Sequence, residues 1–428
     1  MSNSLTKLTL AIAALAVYYP ILGNNFTFGW DDNWMVVNQY VEGGVNFANI
    51  WALLTERYHG QYAPVNQLLF LFLYTIFGYH PLPFHLTSLL LHIGCILWVY
   101  TIIRKLFALT PRIRYPYANE VAFFTALLFA VHPLNVESVA WISAVKVLNY
   151  SFFYLAATYS FLCFWKTRKI QYYIFALLLF ILSCGGKEQA VIFPIWLLML
   201  QWLLGSDLKC RKCWLEVAPF FFISLFFGVI TMMAQPTGVG VIVEPSFPLW
   251  QRFLFACYSF VEYLVKFVFP YNLLYIYPFP ITSGEPVPVW MLWYPGLILV
   301  TGVCLWKYIK KWYIACGLAF FFIHIALVLH IVPISRSAIV ADRYIYMASI
   351  GLSFIVAYYF VLFLKSERKA IKRLSVILFA GIILCFGIRS NLRCRQWEDF
   401  ETIKKDLREL LEQRPDYSPN KFDNDFKL

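Results

Sequence analysis

Apolar runs of bilayer length, separated by short polar breaks, follow one another from the start of the chain to about residue 390. They occupy 7–22, 81–103, 118–133, 148–165, 170–184, 188–204, 213–234, 290–306, 312–332, 343–364 and 374–390. Roughly 20 apolar residues in a helix cross a hydrocarbon core. Within lipid, only a helix or a closed barrel satisfies its own backbone. The pattern therefore predicts an all-α polytopic membrane protein with about eleven transmembrane helices. Between the first two runs lies a long loop. Its apolar stretch Pro64–Phe77 is short and flanked by Pro and His, which predicts an external helix lying along the membrane. The stretch 252–270 carries Arg252, Glu262 and Lys266 and reads as re-entrant or interfacial.

Composition fits this reading. Hydrophobic residues make up 61% and charged residues 14%, against roughly 25% charged in soluble domains. Residues 1–390 form one membrane domain. The tail 391–428 differs, with 8 basic and 9 acidic residues, and predicts a small external amphipathic helix around 400–411 with a frayed end.

The net charge of +12 raises the question of nucleic acid. Placement answers it, because the basic residues sit in short loops between apolar runs, where Lys and Arg fix orientation. With a cytoplasmic N-terminus the inside segments hold 19 basic residues and the outside loops 6. The C-terminus is then external, and no nucleic-acid partner is expected. The run after Lys7 lacks a small-residue cleavage site and reads as a retained first helix. Ten cysteines are scattered singly apart from Cys210 and Cys213, whose CxxC has no second pair to complete a zinc site. There is no P-loop, GxGxxG, HExxH or GxSxG.

Charge at membrane depth is costly and points to function. The informative groups all fall on the outer side of this topology. Asp31 and Asp32 follow the first run. As neighbours they point different ways, which suits separate jobs, one as base and one orienting or holding a cation. A solvated turn is the structural alternative. His132, Glu137 and Lys146 converge where the third run ends and the fourth begins; a helix cap explains part of that. Lys187 and Glu188 follow Gly185–Gly186, a tight turn in which glycine supplies the backbone angles. Either they pair with each other or the lysine holds a phosphate. Asp342 and Arg343 open the tenth run, and arginine offers a planar fork to phosphate oxygens; a mutual ion pair is the alternative. Tyr58, His59, Tyr62 and Asn66 in the first loop, with His80, His85 and His92, add hydrogen-bonding groups. His324 and His330 read as packing residues. Together the charges would suit a lipid phosphate, its tail in the bilayer and its head group near Asp31.

Five blocks carry a resemblance. They are Phe28-Gly-Trp-Asp31-Asp32, Gly78-Tyr-His-Pro-Leu-Pro-Phe-His85, His132-Pro-Leu-Asn-Val-Glu137-Ser-Val-Ala-Trp141, Gly186-Lys187-Glu188-Gln-Ala-Val-Ile-Phe-Pro194 and Val340-Ala-Asp342-Arg343-Tyr-Ile-Tyr-Met-Ala-Ser-Ile-Gly351. In this order the chain resembles, over about residues 20–400, the transmembrane O-mannosyltransferases with tetratricopeptide repeats, within the GT-C class of glycosyltransferases.

The resemblance implies a GT-C-like fold and a polyprenyl- or dolichyl-phosphate-linked sugar donor, usually mannose. The acceptor would be a Ser or Thr hydroxyl of a protein, and transfer would proceed with inversion at the outer face. Asp31 resembles the base and Asp32 its partner, with a divalent cation between them as an open expectation. Lys187 and Arg343 resemble the phosphate clamp, with His132, Glu137, Lys146, Glu188 and Asp342 around the donor and Tyr58, His59, Tyr62 and His85 toward the acceptor. Departures are present. Asn135 stands where members often have a second His, and of an acidic-basic-basic-acidic run only Lys146 remains in 144–147. Tyr62-Ala63-Pro64 lacks an Arg, and the tail has room for barely one repeat. The missing repeats and retention signal point to a bacterial inner membrane rather than the endoplasmic reticulum. Transfer to a lipid or glycan acceptor, transport of a lipid-linked sugar, and a scaffold without activity are the competing readings.

Overall fold

The computed structural model describes residues 3–110, 115–234, 247–281, 284–332 and 338–412. Every apolar run named above contains a helix. In chain order they are α1 (Asn3–Tyr18), then α2 (Asp32–Met35), α3 (Gln39–Glu42), α4 (Phe47–Thr55) and α5 (Pro64–Phe77) in the first loop, followed by α6 (Pro81–Leu109). Next come α7 (Ala118–Val131), α8 (Val136–Ala140), α9 (Val145–Thr167), α10 (Ile170–Gly186), α11 (Phe193–Leu203) and α12 (Arg211–Ala234). The chain ends with α13 (Leu249–Val268), α14 (Trp293–Ile309), α15 (Trp312–Ile325), α16 (Ser349–Leu364), α17 (Lys369–Gln396) and α18 (Phe400–Glu412). Two short strands, β1 (Tyr277–Pro278) and β2 (Ala338–Val340), pair antiparallel.

Among the described residues six helical stretches are long and apolar enough to cross a membrane alone, and a seventh arises if α7 and 133–140, bent by 57°, form one span. The other apolar helices, including α10, α11, α15 and α16, have 10–17 residues. The expected count of about eleven included these shorter helices, and length alone does not make them spans. The protein is a multi-pass membrane protein with an all-helical body.

The centre of the bundle is α6, α7, α9, α10 and α16, which pack on one another. Helices α12, α14 and α17 turn bulky apolar side chains outward, such as Phe222, Leu299 and Leu384, the sign of a lipid-facing wall. Where α15 crosses α16, a Cβ on Gly317 would stand 2.6 Å from the Gly351 carbonyl. Small residues are what permit such backbone contact.

The first loop folds down over one end of this bundle. Asn66 on α5 donates to the Gly186 carbonyl (2.6 Å) and accepts from Asn149 on α9 (2.7 Å). The chain after residue 390 also belongs to this end, since α17 continues unbroken to Gln396. Asn24 Nδ2 donates to the Cys394 and Trp397 carbonyls at 2.9 and 2.8 Å, and Trp397 stacks on Trp141. Phe400 of α18 lies against Gly29, whose φ of 105° and bare Cα admit the ring. Residues 413–428 lie outside the described residues.

Candidate functional site

The two adjacent aspartates lie in different surroundings. Asp32 is fully buried. Its Oδ2 accepts from the Thr27 N–H and hydroxyl, each at 2.8 Å, and its Oδ1 from the Ser143 N–H at 3.1 Å and the Ser143 hydroxyl. Burial pushes this carboxyl above the usual range, opposed by those donors. Asp32 thus ties the first loop to the turn before α9. Asp31 is half-buried, and its carboxylate accepts no hydrogen bond among the described residues. It lies close enough to Lys146 and Arg343 to act on their charges.

Arg343 is the best-anchored cation. Glu137, 1% exposed, accepts its backbone N–H at 2.8 Å on Oε2 and its guanidinium on Oε1. The guanidinium carbon also lies 5.3 Å from the Trp141 ring centroid and 5.0 Å from that of Tyr344. Burial works against the charge, but Glu137 and Asp31 more than offset it, so its pKa is raised. Lys187 Nζ sits 5.1 Å from the same Tyr344 ring. The ring therefore carries two cations, a geometry favourable to each. Lys146, at the start of α9, donates to Gln61 Oε1 at 3.3 Å and feels Asp31 and Glu188. Asp31, Glu137, Lys146, Lys187, Glu188 and Arg343 are therefore brought to one end of the bundle.

Asp342 faces away from this group. It accepts from Arg393 (2.7 Å) on Oδ2 and from the Tyr277 hydroxyl (2.9 Å) on Oδ1, so it pairs with Arg393 rather than with its neighbour Arg343. Helix α16, in the tenth apolar run, starts at Ser349, after a 3-10 turn over Asp342–Tyr344. That turn lets consecutive residues engage α17 on one side and α8 on the other.

The remaining predicted residues lie elsewhere. His132 has Nε2 3.0 Å from the Phe267 carbonyl and Nδ1 accepting from Leu134 N–H at 3.3 Å, with its ring stacked on Phe267. It caps the bend after α7. His85 is buried beneath the first loop, with Nε2 3.4 Å from the Asn25 carbonyl. Tyr58 and Gln61 exchange backbone hydrogen bonds at 3.0 and 2.9 Å. This hairpin holds exposed His59, at φ 46°, stacked on Trp34. Tyr62 donates to the Leu54 carbonyl at 2.8 Å. The hairpin reaches Lys146 through Gln61 rather than through its aromatic residues.

Gly185 and Gly186 differ from the expectation of special backbone angles. Neither has positive φ. They are needed for close approach: a Cβ on Gly185 would lie 2.8 Å from Val65, and one on Gly186 3.0 Å from the Tyr150 nitrogen.

Sequence reading missed Thr27, Ser143, Gln61, Tyr277 and Arg393. Arg393 gave the one usable signal, an arginine near the outer end of an apolar run. A cation shared by Asp31 and Asp32 does not fit, because four donors fill the Asp32 oxygens. Among the described residues there is no group of three or more His, Cys, Asp or Glu suited to a metal ion.

No family model matches the chain. The chain is 34% identical over 122 residues to protein O-mannosyl-transferase Tmtc3 of Drosophila melanogaster, covering 25% of this chain and 13% of that protein. It is 28% identical over 199 residues to protein O-mannosyl-transferase F38B6.6 of Caenorhabditis elegans, covering 44% and 27%. With human protein O-mannosyl-transferase TMTC1 it is 25% identical over 243 residues, covering 54% and 22%. The matched part thus spans less than a third of each of these relatives. Among solved structures, the archaeal oligosaccharyltransferase AglB from Archaeoglobus fulgidus gives a TM-score of 0.48 at 12% identity, covering 98% of this chain and 59% of that one. The resemblance carried by the five motif blocks is thereby met in full-sequence comparison: this chain is similar to the protein O-mannosyl-transferases over a quarter to about half of its length.

Proposed function

We propose that the protein is a GT-C glycosyltransferase that moves a sugar, mannose in the reading its motifs favour, from a polyprenyl- or dolichyl-phosphate donor to a Ser or Thr hydroxyl of a protein. The observation that carries this reading is Asp31. Its carboxylate accepts no hydrogen bond among the described residues, its neighbour Asp32 is tied down by Thr27 and Ser143, and it is close enough to Lys146 and Arg343 to act on their charges. A base placed this way takes the acceptor proton as the hydroxyl oxygen attacks the anomeric carbon. The bond from that carbon to the phosphate oxygen breaks, and the electron pair leaves with the lipid phosphate. Arg343 and Lys187, on either side of Tyr344, with Lys146 nearby, would stabilise the charge that develops there. Phosphate is a good leaving group, so the chemistry needs no separate acid. A single displacement inverts the anomeric centre. The similarity to protein O-mannosyl-transferases supports the protein acceptor.

The test is donor turnover by purified protein given radiolabelled polyprenyl-phosphate-mannose and an acceptor peptide, wild type beside Asp31→Asn. The variant should remain folded and lose roughly 10²–10⁴ in rate. Equal turnover by the two proteins would remove Asp31 from the mechanism. A wild type that neither binds nor turns over the donor would overturn the reading.

A further inference from the structure

At the end of the bundle opposite Asp31, the start of α1, the last turns of α6, the start of α7 and the side of α9 border an open pocket of about 940 Å³. Three of its lining residues are Lys7, Arg104 and Lys105, and no described carboxylate lines it. The two cations of α6 are held by neutral groups. Arg104 donates to Asn119 Oδ1 and Asn3 Oδ1, each at 2.6 Å, with its guanidinium carbon 5.2 Å from the Tyr100 ring centroid. Lys105 lies 3.1 Å from Cys163 Sγ and 4.6 Å from the Tyr159 ring centroid. Among the described residues no carboxylate comes within 4.0 Å of any of the three. Basic residues that serve only to orient a helix in the membrane need no such fixing; these are aimed and left without counter-charge.

A second observation concerns what adjoins this pocket. Phe107 and Thr110 also line an apolar slot that runs into the bundle between α6, α9, α11, α15 and α16, past Ile103, Leu155, Phe320 and Phe354. A fixed cationic pocket that shares the wall of Phe107 and Thr110 with an intramembrane apolar slot matches an amphiphile with an anionic head and a hydrocarbon tail. We infer that this is a binding site for an anionic glycerophospholipid, its phosphate against Lys7, Arg104 and Lys105 and a few carbons of one acyl chain entering the slot, whose volume is about 100 Å³. The pocket and the Asp31 cluster are at opposite ends of the bundle, so the lipid is not the reacting donor. It is a bound companion that fastens α1, α6, α7 and α9 together, and the inference does not rest on the proposed reaction.

The experiment places the whole protein in phosphatidylcholine nanodiscs containing a minority of phosphatidylglycerol. After gentle release into detergent, native mass spectrometry counts the lipids that remain bound. Wild type should retain phosphatidylglycerol in preference to phosphatidylcholine. Arg104→Gln and Lys105→Gln should each lower that retention roughly fivefold, as expected when one cation of about 1 kcal/mol is lost. Leu155→Trp, which fills the slot, should lower it with the cations intact. Lys7→Gln removes a charge whose side chain makes no polar contact with the described residues, so it tests the pocket even if the α6 variants misfold. Equal retention of the two lipids would overturn the inference. So would retention unchanged in Lys7→Gln and in every folded variant of the set. If glycerol 3-phosphate displaces phosphatidylglycerol as effectively as added phosphatidylglycerol does, the pocket takes small phosphate anions and no lipid site exists.

Discussion

Arg343 is bound to Glu137 twice, through its backbone N–H and through its guanidinium. One buried carboxylate thus fixes both where the 3-10 turn begins and where its cation points. Removing one partner of a buried pair leaves the other uncompensated, at a cost of about 3–5 kcal/mol. Arg343 keeps 20% exposure, so Glu137→Ala should fall at or below the lower end of that range. Glu137→Gln should recover part of it, since an amide oxygen still accepts from the backbone N–H. Thermal melting in detergent measures the ordering of wild type, Gln and Ala. Donor binding should weaken roughly tenfold in the Gln variant, the effect of a 1.4 kcal/mol loss in phosphate contact. Equal melting of the three proteins would contradict the anchoring role.

Asp31 and Asp32 should separate cleanly by assay. Asp32→Asn presents an amide NH₂ to donors already in place at Thr27 or Ser143, leaving one side of the site without an acceptor. The expected loss is about 1–3 kcal/mol of stability, visible as a lower melting temperature, with activity lost along with the loop it anchors. Ser143→Ala removes a single donor and should cost about 1 kcal/mol. A Asp32→Asn protein that melts like wild type but fails in transfer would move Asp32 from support into the chemistry.

The helical body and the set of charged residues were legible in the sequence because apolar length and out-of-place charge are local signals. Pairings were not. Nothing near Asp342 in sequence points to Arg393 or Tyr277, so an adjacent Asp-Arg dipeptide read naturally as a mutual pair. His132 reads from sequence as lining the donor site or capping a helix exit, and its two nitrogens meet the Phe267 carbonyl and the Leu134 N–H. The number of spans is open for a related reason. A short apolar helix such as α10 or α16 has the same composition whether it faces lipid or protein, and only packing distinguishes the two.

Asp342 supplies a pH dependence. Burial raises its carboxyl to about 6, with Arg393 opposing the shift. The unfolded value is about 3.9, so the native state holds this proton more tightly than the unfolded chain does. The group's contribution to stability is greatest below about pH 4 and declines as pH rises through about 6. Function should run the other way, because protonation below about 6 removes the charge that holds Arg393 and the turn carrying Arg343. Transfer by wild type should therefore fall as pH drops through about 6, whereas Asp342→Asn should be slow with that limb absent. The melting temperature of wild type relative to that of Asp342→Asn should fall from pH 4 to pH 7. A wild-type rate that is flat across this range would show that the Asp342–Arg393 pair has no influence on the cation cluster.

Gly186 offers the test of close packing at the site. The Cβ of an alanine there would meet the Tyr150 nitrogen at 3.0 Å and its Cα at 3.3 Å. These obstacles are backbone of α9, so the strain must move a helix end rather than a side chain. The carbonyl of Gly186 is also the acceptor for Asn66, which couples any shift to α5. Overpacking of this kind costs about 1–3 kcal/mol. Because Lys187 follows directly, the displacement should also carry its ammonium away from the Tyr344 ring. Gly186→Ala should therefore lower the melting temperature and weaken donor binding together. Asn66→Ala removes the hydrogen bond without adding bulk, so it should reproduce the loss of stability with a smaller effect on the donor. Melting and donor-binding curves for the two variants decide the matter. If Gly186→Ala melts lower but binds donor like wild type, the position of Lys187 does not depend on this contact.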